Sequence, residues 1–286
     1  MTMPAPASQA APANIWSTLA RAVLLGFLLC LGILVIYPLL WMALSGFKTN
    51  SQIFSAPFDL PTGFSWANYV AAWNQGVRSF LFSSIVVTAA SAACTVLISA
   101  WTAYGLTRTR MPAKPVITAL ILGGMMLSPT VALIPLVRMM QSIGLYNTHW
   151  ALIILYTAFR IPFTTFLIRA YMLELPSDLD EAARMDGASD GQIFWRIMLP
   201  LCRPIIVSSV ILHILFAWNE YLFAMIFTSD LDVQTLPVGL TSLMAKHGTN
   251  YAQVFAAMTI SALPIVILFF LMQRYFIRGL TEGIGK

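Results

Sequence analysis

Charge is scarce in this sequence: Asp, Glu, Lys and Arg make up 9% of its 286 residues, too few to cover the surface of a water-soluble domain of that size. Cysteine is nearly absent. Cys30, Cys94 and Cys202 lie in two apolar runs and one loop without metal-type spacing, so neither a disulfide framework nor a zinc site is indicated. Three histidines, with no Ser-His-Asp, Cys-His or metal-ligand set around them, leave no constellation for nucleophilic or metal catalysis. The sequence also lacks the pattern Gly-x-x-x-x-Gly-Lys-Ser/Thr, and with it the usual means of holding ATP. An enzyme is therefore not expected. No internal repeat occurs.

What fills the chain instead is apolar. Hydrophobic residues reach 59% and the mean hydropathy is +0.80, the composition of an all-α protein that crosses a bilayer several times. Residues 1–14 are rich in Pro and Ala, without charge or periodicity, and read as a disordered tail. Six apolar runs follow, at about 22–44, 80–104, 116–137, 150–172, 205–227 and 254–276. Each has the roughly 20 residues that a hydrocarbon core of about 30 Å requires. The first has no small-x-small site after it and reads as an uncleaved membrane helix. Pro129, Pro135, Pro162 and Pro264 fall inside or beside the runs, where neighbouring helices or a wet cavity must satisfy the freed carbonyls. The chain is expected to be a single membrane domain over 15–286.

The net charge of +5 suggests topology and not nucleic acid, because the basic residues sit at the ends of the runs. With the N-terminus inside, Arg21, Arg108, Arg110, Lys114, Arg169, Arg184, Arg196, Arg203, Arg274, Arg278 and Lys286 face the cytoplasm. Lys48, Arg78, Arg138 and Lys246 face out. Eleven against four predicts both termini inside. The outer loop between the first two runs carries Trp66, Tyr69 and Trp73, which either rest at the membrane interface or meet a soluble protein. In the second run, Thr88, Ser91, Ala92, Thr95, Ser99 and Thr102 recur at helical spacing and predict a close-packing stripe.

Six of the eleven acids lie in one loop, 173–203: Glu174, Asp178, Asp180, Glu181, Asp186 and Asp190. Pro176 ends the helix before it, Ser177 or Asp178 can cap the next, and Asp180 and Glu181 suit its positive end. Gly187 supplies a left-handed stop. Ser189 and Gln192 have capping-box spacing for a second short helix, which Pro200 and Pro204 help to end. So ordered a loop in so apolar a chain points to contact with something soluble.

Glu181-Ala182-Ala183, three residues, Gly187, nine residues, Ile197, one residue and Leu199-Pro200 resemble the signature loop of permease subunits in ABC importers that depend on a binding protein. The resemblance implies a type I importer permease fold in a bacterial cytoplasmic membrane. Its loop would be the coupling helix, with Glu181, Ala182, Ala183, Asp186 and Gly187 docking on an ATPase subunit. It further implies a second permease subunit, an ATPase dimer that binds the ATP and Mg, and an external binding protein. Ile134-Pro135-Leu136, Gly144-Leu145-Tyr146-Asn147-Thr148 and Ala217-Trp218-Asn219-Glu220-Tyr221-Leu222 are similar to the sugar-transporting branch and imply a carbohydrate or polyol. The C-terminal Gly279, Leu280, Thr281 and Gly283 resemble the tail of maltose-type subunits, which reaches the ATPase; the last three residues depart from that pattern. Read by itself, 277–286 is a short flexible tail.

Four interior polar residues are candidates for the solute pathway. Arg160 lies near the middle of the fourth run, where an unpaired charge costs about 2.5–3.5 kcal/mol, and so anchors a solute or joins an internal ion pair. Glu220 is its expected partner. Ser209, His213, Ala217, Glu220 and Ala224 share one helical face, with Glu220 about 24 Å along from Pro204. Asn219 and Glu220 either touch solute or satisfy each other, and His213 is a satisfied core histidine or a proton relay. The relay reading defines the alternative of an ion-coupled transporter working alone. Another solute class also stays open.

Overall fold

A computed structural model describes residues 15–247 and 250–282, and among them every regular element is helical. The expected tail at 1–14 lies outside the described residues. The first helix, α1 (Ile15–Ser45), runs against the last, α14 (Tyr251–Glu282). From Leu19 to Leu40 its leucines and isoleucines face outward, as a helix bordering hydrocarbon or a partner requires.

The centre is the pair α4 (Arg78–Arg108) and α7 (His149–Glu174), which pack along their lengths. Thr88, Ser91, Ala92, Thr95 and Ser99 are buried as the stripe predicted, because small side chains let two backbones approach. Thr102 is only half-buried, and its hydroxyl donates back to the Ile98 carbonyl of its own helix.

The third and fifth apolar runs are not straight spans. Residues 116–137 divide into α5 (Lys114–Met126) and α6 (Leu133–Ser142), bent by 90° across Leu127 and Ser128. Both residues are extended, the conformation that a following proline imposes on Ser128. The fifth run gives α11 (Arg203–Asn219), stops at Glu220, and resumes as α12 (Leu222–Phe227).

The outer loop is folded and not loose. α2 (Asn50–Ser55) starts with a Thr49–Gln52 capping box. Lys48, counted among the outward charges, is buried, with Nζ donating to the carbonyls of Ala56 and Pro57 at 3.3 and 2.9 Å. α3 (Ala67–Ala72) then leads through one π-helical turn into α4, and Tyr69 packs on Phe47.

An unexpected helix, α13 (Leu236–His247), lies between α12 and α14. Gly239 presses on the Phe80 ring so closely that any Cβ would overlap it. Gly239→Ala is expected to cost about 1–3 kcal/mol by overpacking, read as a lower thermal midpoint of the detergent-solubilised protein.

Candidate functional site

The loop after α7 folds as its local chemistry requires. α8 (Asp178–Met185) carries Asp178, Asp180 and Glu181 in its first turn, where the helix dipole favours negative charge. Ser177 precedes it in helical backbone, and its side chain caps nothing; the acids supply the compensation. At the other end Gly187 takes φ +81°. Its N–H donates to the Arg184 carbonyl, and that of Ala188 to the Ala183 carbonyl, at 3.0 and 2.9 Å. This is the paired closure of a Schellman motif, which needs a residue without Cβ strain.

The second helix also starts as its sequence spacing predicts. Ser189 and Gln192 exchange both capping-box bonds at the head of α9 (Asp190–Ile193). A π-helical turn, Phe194–Met198, joins it to α10 (Leu199–Leu201), and the segment meets α11 at 76°. Pro204 sits in the first turn of α11. It therefore starts a helix and does not end one, as its fixed φ and missing N–H allow.

Burial divides the signature residues. Glu181, Ala182, Asp186 and Gly187 are exposed, and beside them Met185 is 88% exposed. Ala183, expected at the docking contact, is turned inward and packs with Tyr104, Met172, Ile193 and Phe194. It holds the helix down. Asp180, one turn earlier on the same inner face, is buried with its Oδ2 3.2 Å from Arg108 Nε. Burial pushes its carboxyl up from the ordinary carboxylate value, while Arg108 and Arg184 pull it down. Nothing in the spacing around Asp180 distinguished it from the exposed acids, because its partner lies on another helix.

The interior residues do not meet as expected. Among the described residues the ion pairs are Arg108–Asp180 and Arg184–Asp190, and Arg160 belongs to neither. Its guanidinium lies 4.8 Å from the ring centres of both Phe163 and Phe216, a cation–π arrangement joining α7 to α11. Glu220 is not on the helical face with His213, because the chain there is extended. Its carboxylate accepts the N–H groups of Phe223 and Ala224 at 2.9 and 3.1 Å and the Tyr156 hydroxyl at 2.7 Å. It thus caps α12, a role that alternation of apolar and polar residues could not reveal. His213 is fully buried, its Nε2 2.9 Å from Ser91 Oγ. Asn219 is exposed and donates to the Leu215 carbonyl. Arg160, His213 and Glu220 therefore form no connected relay.

Tyr156→Phe removes one of the three donors to Glu220 from a fully buried position. It is expected to cost about 1.5–3 kcal/mol, the range for a hydrogen bond to a charged group, measured by thermal unfolding. An unchanged midpoint would mean that the two backbone donors suffice.

Gly144-Leu145-Tyr146-Asn147-Thr148 also acquires a physical reason. Asn147 takes φ +60°, accepts from the N–H groups of Ser229 and Asp230, and donates to the Asp230 carboxylate. Thr148 caps α7. The motif staples the loop before α7 to the one after α12. At the other terminus, Gly279, Leu280 and Thr281 belong to α14, which continues to Glu282. The expected flexible tail is helical that far, and Gly283 lies outside the described residues.

The elements form a helical bundle in which a short exposed helix, α8, is set in the loop between α7 and α11. The model of the "Binding-protein-dependent transport system inner membrane component" family matches residues 95–282, and the chain belongs to that family. It is 48% identical over 260 residues to "Probable ABC transporter permease protein YurM" of Bacillus subtilis, covering 91% of this chain and 87% of the relative. It is 32% identical over 254 residues to "Diacetylchitobiose uptake system permease protein NgcG" of Streptomyces coelicolor, covering 88% and 84%. Its fold matches a chain of a bacterial ABC transporter involved in import of alginate, with TM-score 0.79 at 22% identity, covering 94% and 99% of the two chains. The permease fold follows from these observations together, with, among the described residues, four helices long and apolar enough to cross a membrane, or six if each of two bent pairs is one span.

Proposed function

We propose that this chain forms half of the pathway of an ATP-driven importer for a carbohydrate or related polyol, and that α8 docks on a separate ATPase subunit. The observation that carries the docking role is α8 itself. An eight-residue helix is too short to be stable alone, yet this one is stopped at both ends and pinned through Asp180 and Ala183. It still presents Leu179, Ala182 and Met185 outward. Such an apolar face rimmed by Glu181 and Asp186 suits a protein partner.

A second permease subunit completes the pathway, and a binding protein delivers solute from outside. ATP and Mg bind the ATPase pair. Closure of that pair moves α8 and turns the bundle between inward- and outward-facing states. The distribution of Lys and Arg supports an orientation with α8 and both termini in the cytoplasm. The carbohydrate reading is supported by the diacetylchitobiose system of the 32% relative and by the sugar-branch motifs.

The test is purification from the native membrane in mild detergent, identification of what co-purifies, and ATP hydrolysis with binding protein and a panel of sugars. A co-purifying ATPase and second permease, with hydrolysis raised by one loaded binding protein, would establish the importer and its solute. A chain that purifies alone and transports without ATP would overturn the reading.

A further inference from the structure

One side chain at the foot of α4 holds three elements together. Arg108, the last residue of α4, is 9% exposed, and its Nη2 donates to the carbonyls of Met172 and Leu175 at 2.7 and 2.6 Å. Those are carbonyls at the end of α7, of the kind that a helix leaves without internal partners. The Nε of the same guanidinium faces the Asp180 carboxylate of α8, which is 3% exposed. An outer layer encloses this node. Arg184 donates to Asp190 at 3.0 Å and to the Arg108 carbonyl at 3.1 Å, and the Tyr104 hydroxyl donates to Asp190 at 3.4 Å.

Stability alone is a poor reason for this arrangement. A buried ion pair seldom outperforms apolar packing of the same volume, and carbonyls at a membrane edge can be satisfied by water. What a planar, forked, permanently charged group provides is geometry, because it fixes several acceptors at once. Here the acceptors belong to α7 and α8, and the fork belongs to α4. Apolar contact at Ala183 by itself resists separation of α8 from the bundle but not sliding along it. The ion pair and the two carbonyl bonds resist both.

We infer that Arg108 is the positioning residue that ties α8 to the ends of α4 and α7, so that a displacement of α8 by its partner reaches both membrane helices together. The inference rests on the docking role proposed above. It separates two faces of one short helix: Met185 and Ala182 receive the force, and Asp180 passes it inward.

Amide hydrogen exchange on the complete complex, in lipid nanodiscs with and without ATP and vanadate, tests this. In the native complex, peptides covering α8, the end of α4 (101–110) and the end of α7 (168–175) are expected to change protection together. Arg108→Lys keeps the charge but loses the fork, and Asp180→Asn keeps the shape but loses the charge. In each, the response of α8 should persist while that of α4 and α7 falls about fivefold or more, beyond any fall in thermal midpoint that the broken pair brings. A purely structural role would lower the midpoint and leave the joint response intact. If Arg108→Lys does not fold, the near-isosteric Asp180→Asn carries the comparison. Full responses of α4 and α7 in the variants would overturn the latch alone. A native complex in which α8 ignores nucleotide would overturn the docking role and the latch with it.

Discussion

Met185→Glu is expected to reduce retention of the ATPase subunit about 30-fold or more, the effect of losing one central contact worth 2 kcal/mol. The chain itself should insert and unfold as before. Met185 is 88% exposed on the last turn of α8, so its replacement removes no internal packing, and exposed substitutions of that kind stay within about 0.5 kcal/mol. A partner that covers it must instead desolvate the new carboxylate beside Glu181 and Asp186, which are already acidic. Pull-down from solubilised membranes, paired with thermal unfolding of the same samples, measures both quantities. Equal recovery of the ATPase would remove Met185 from the docking face.

Two residues earlier the expected result is the opposite. Ala183→Asp should prevent accumulation of folded protein, because Ala183 is 8% exposed among Tyr104, Ile168, Met172 and Phe194. A buried charge without its own partner costs about 3–5 kcal/mol, a large part of the 5–15 kcal/mol that stabilises a typical domain. The readouts are yield and a monodisperse peak in size exclusion. Normal yield would show that the second alanine of the signature faces out. Gly187→Pro acts at the level of the fold as well, since proline cannot adopt φ +81°. It therefore reports on the turn between α8 and α9 and not on docking alone. Of these three substitutions, only Met185→Glu separates a lost contact from a lost loop.

The contrast between Met185 and Ala183 shows where sequence reasoning stops. Most stops and starts of the loop were legible because they are local, although Ser177 caps nothing and Pro204 begins a helix. A carboxylate in a first turn, a glycine after a last turn and a serine three residues before a glutamine act over four residues or fewer. The six apolar segments were legible because hydrocarbon thickness fixes their length, and the packing stripe of α4 because helical period fixes which residues share a face.

Local rules could not say which face of α8 turns inward, since both faces carry an acid and an alanine. That was decided by Arg108, 72 positions before Asp180. Glu220 likewise finds Tyr156 64 positions away, and His213 finds Ser91 at 122. From its place in the fourth run Arg160 was expected to anchor a solute or join an internal ion pair; the fold sets it against two aromatic faces. The sequence by itself thus determined membrane class, the position of the apolar segments, the Gly187 stop, the Ser189–Gln192 cap and the place of the exposed loop. The partners of its few charges were decided only by tertiary structure, because a buried charge must be satisfied by whatever group the packing of distant helices brings within reach.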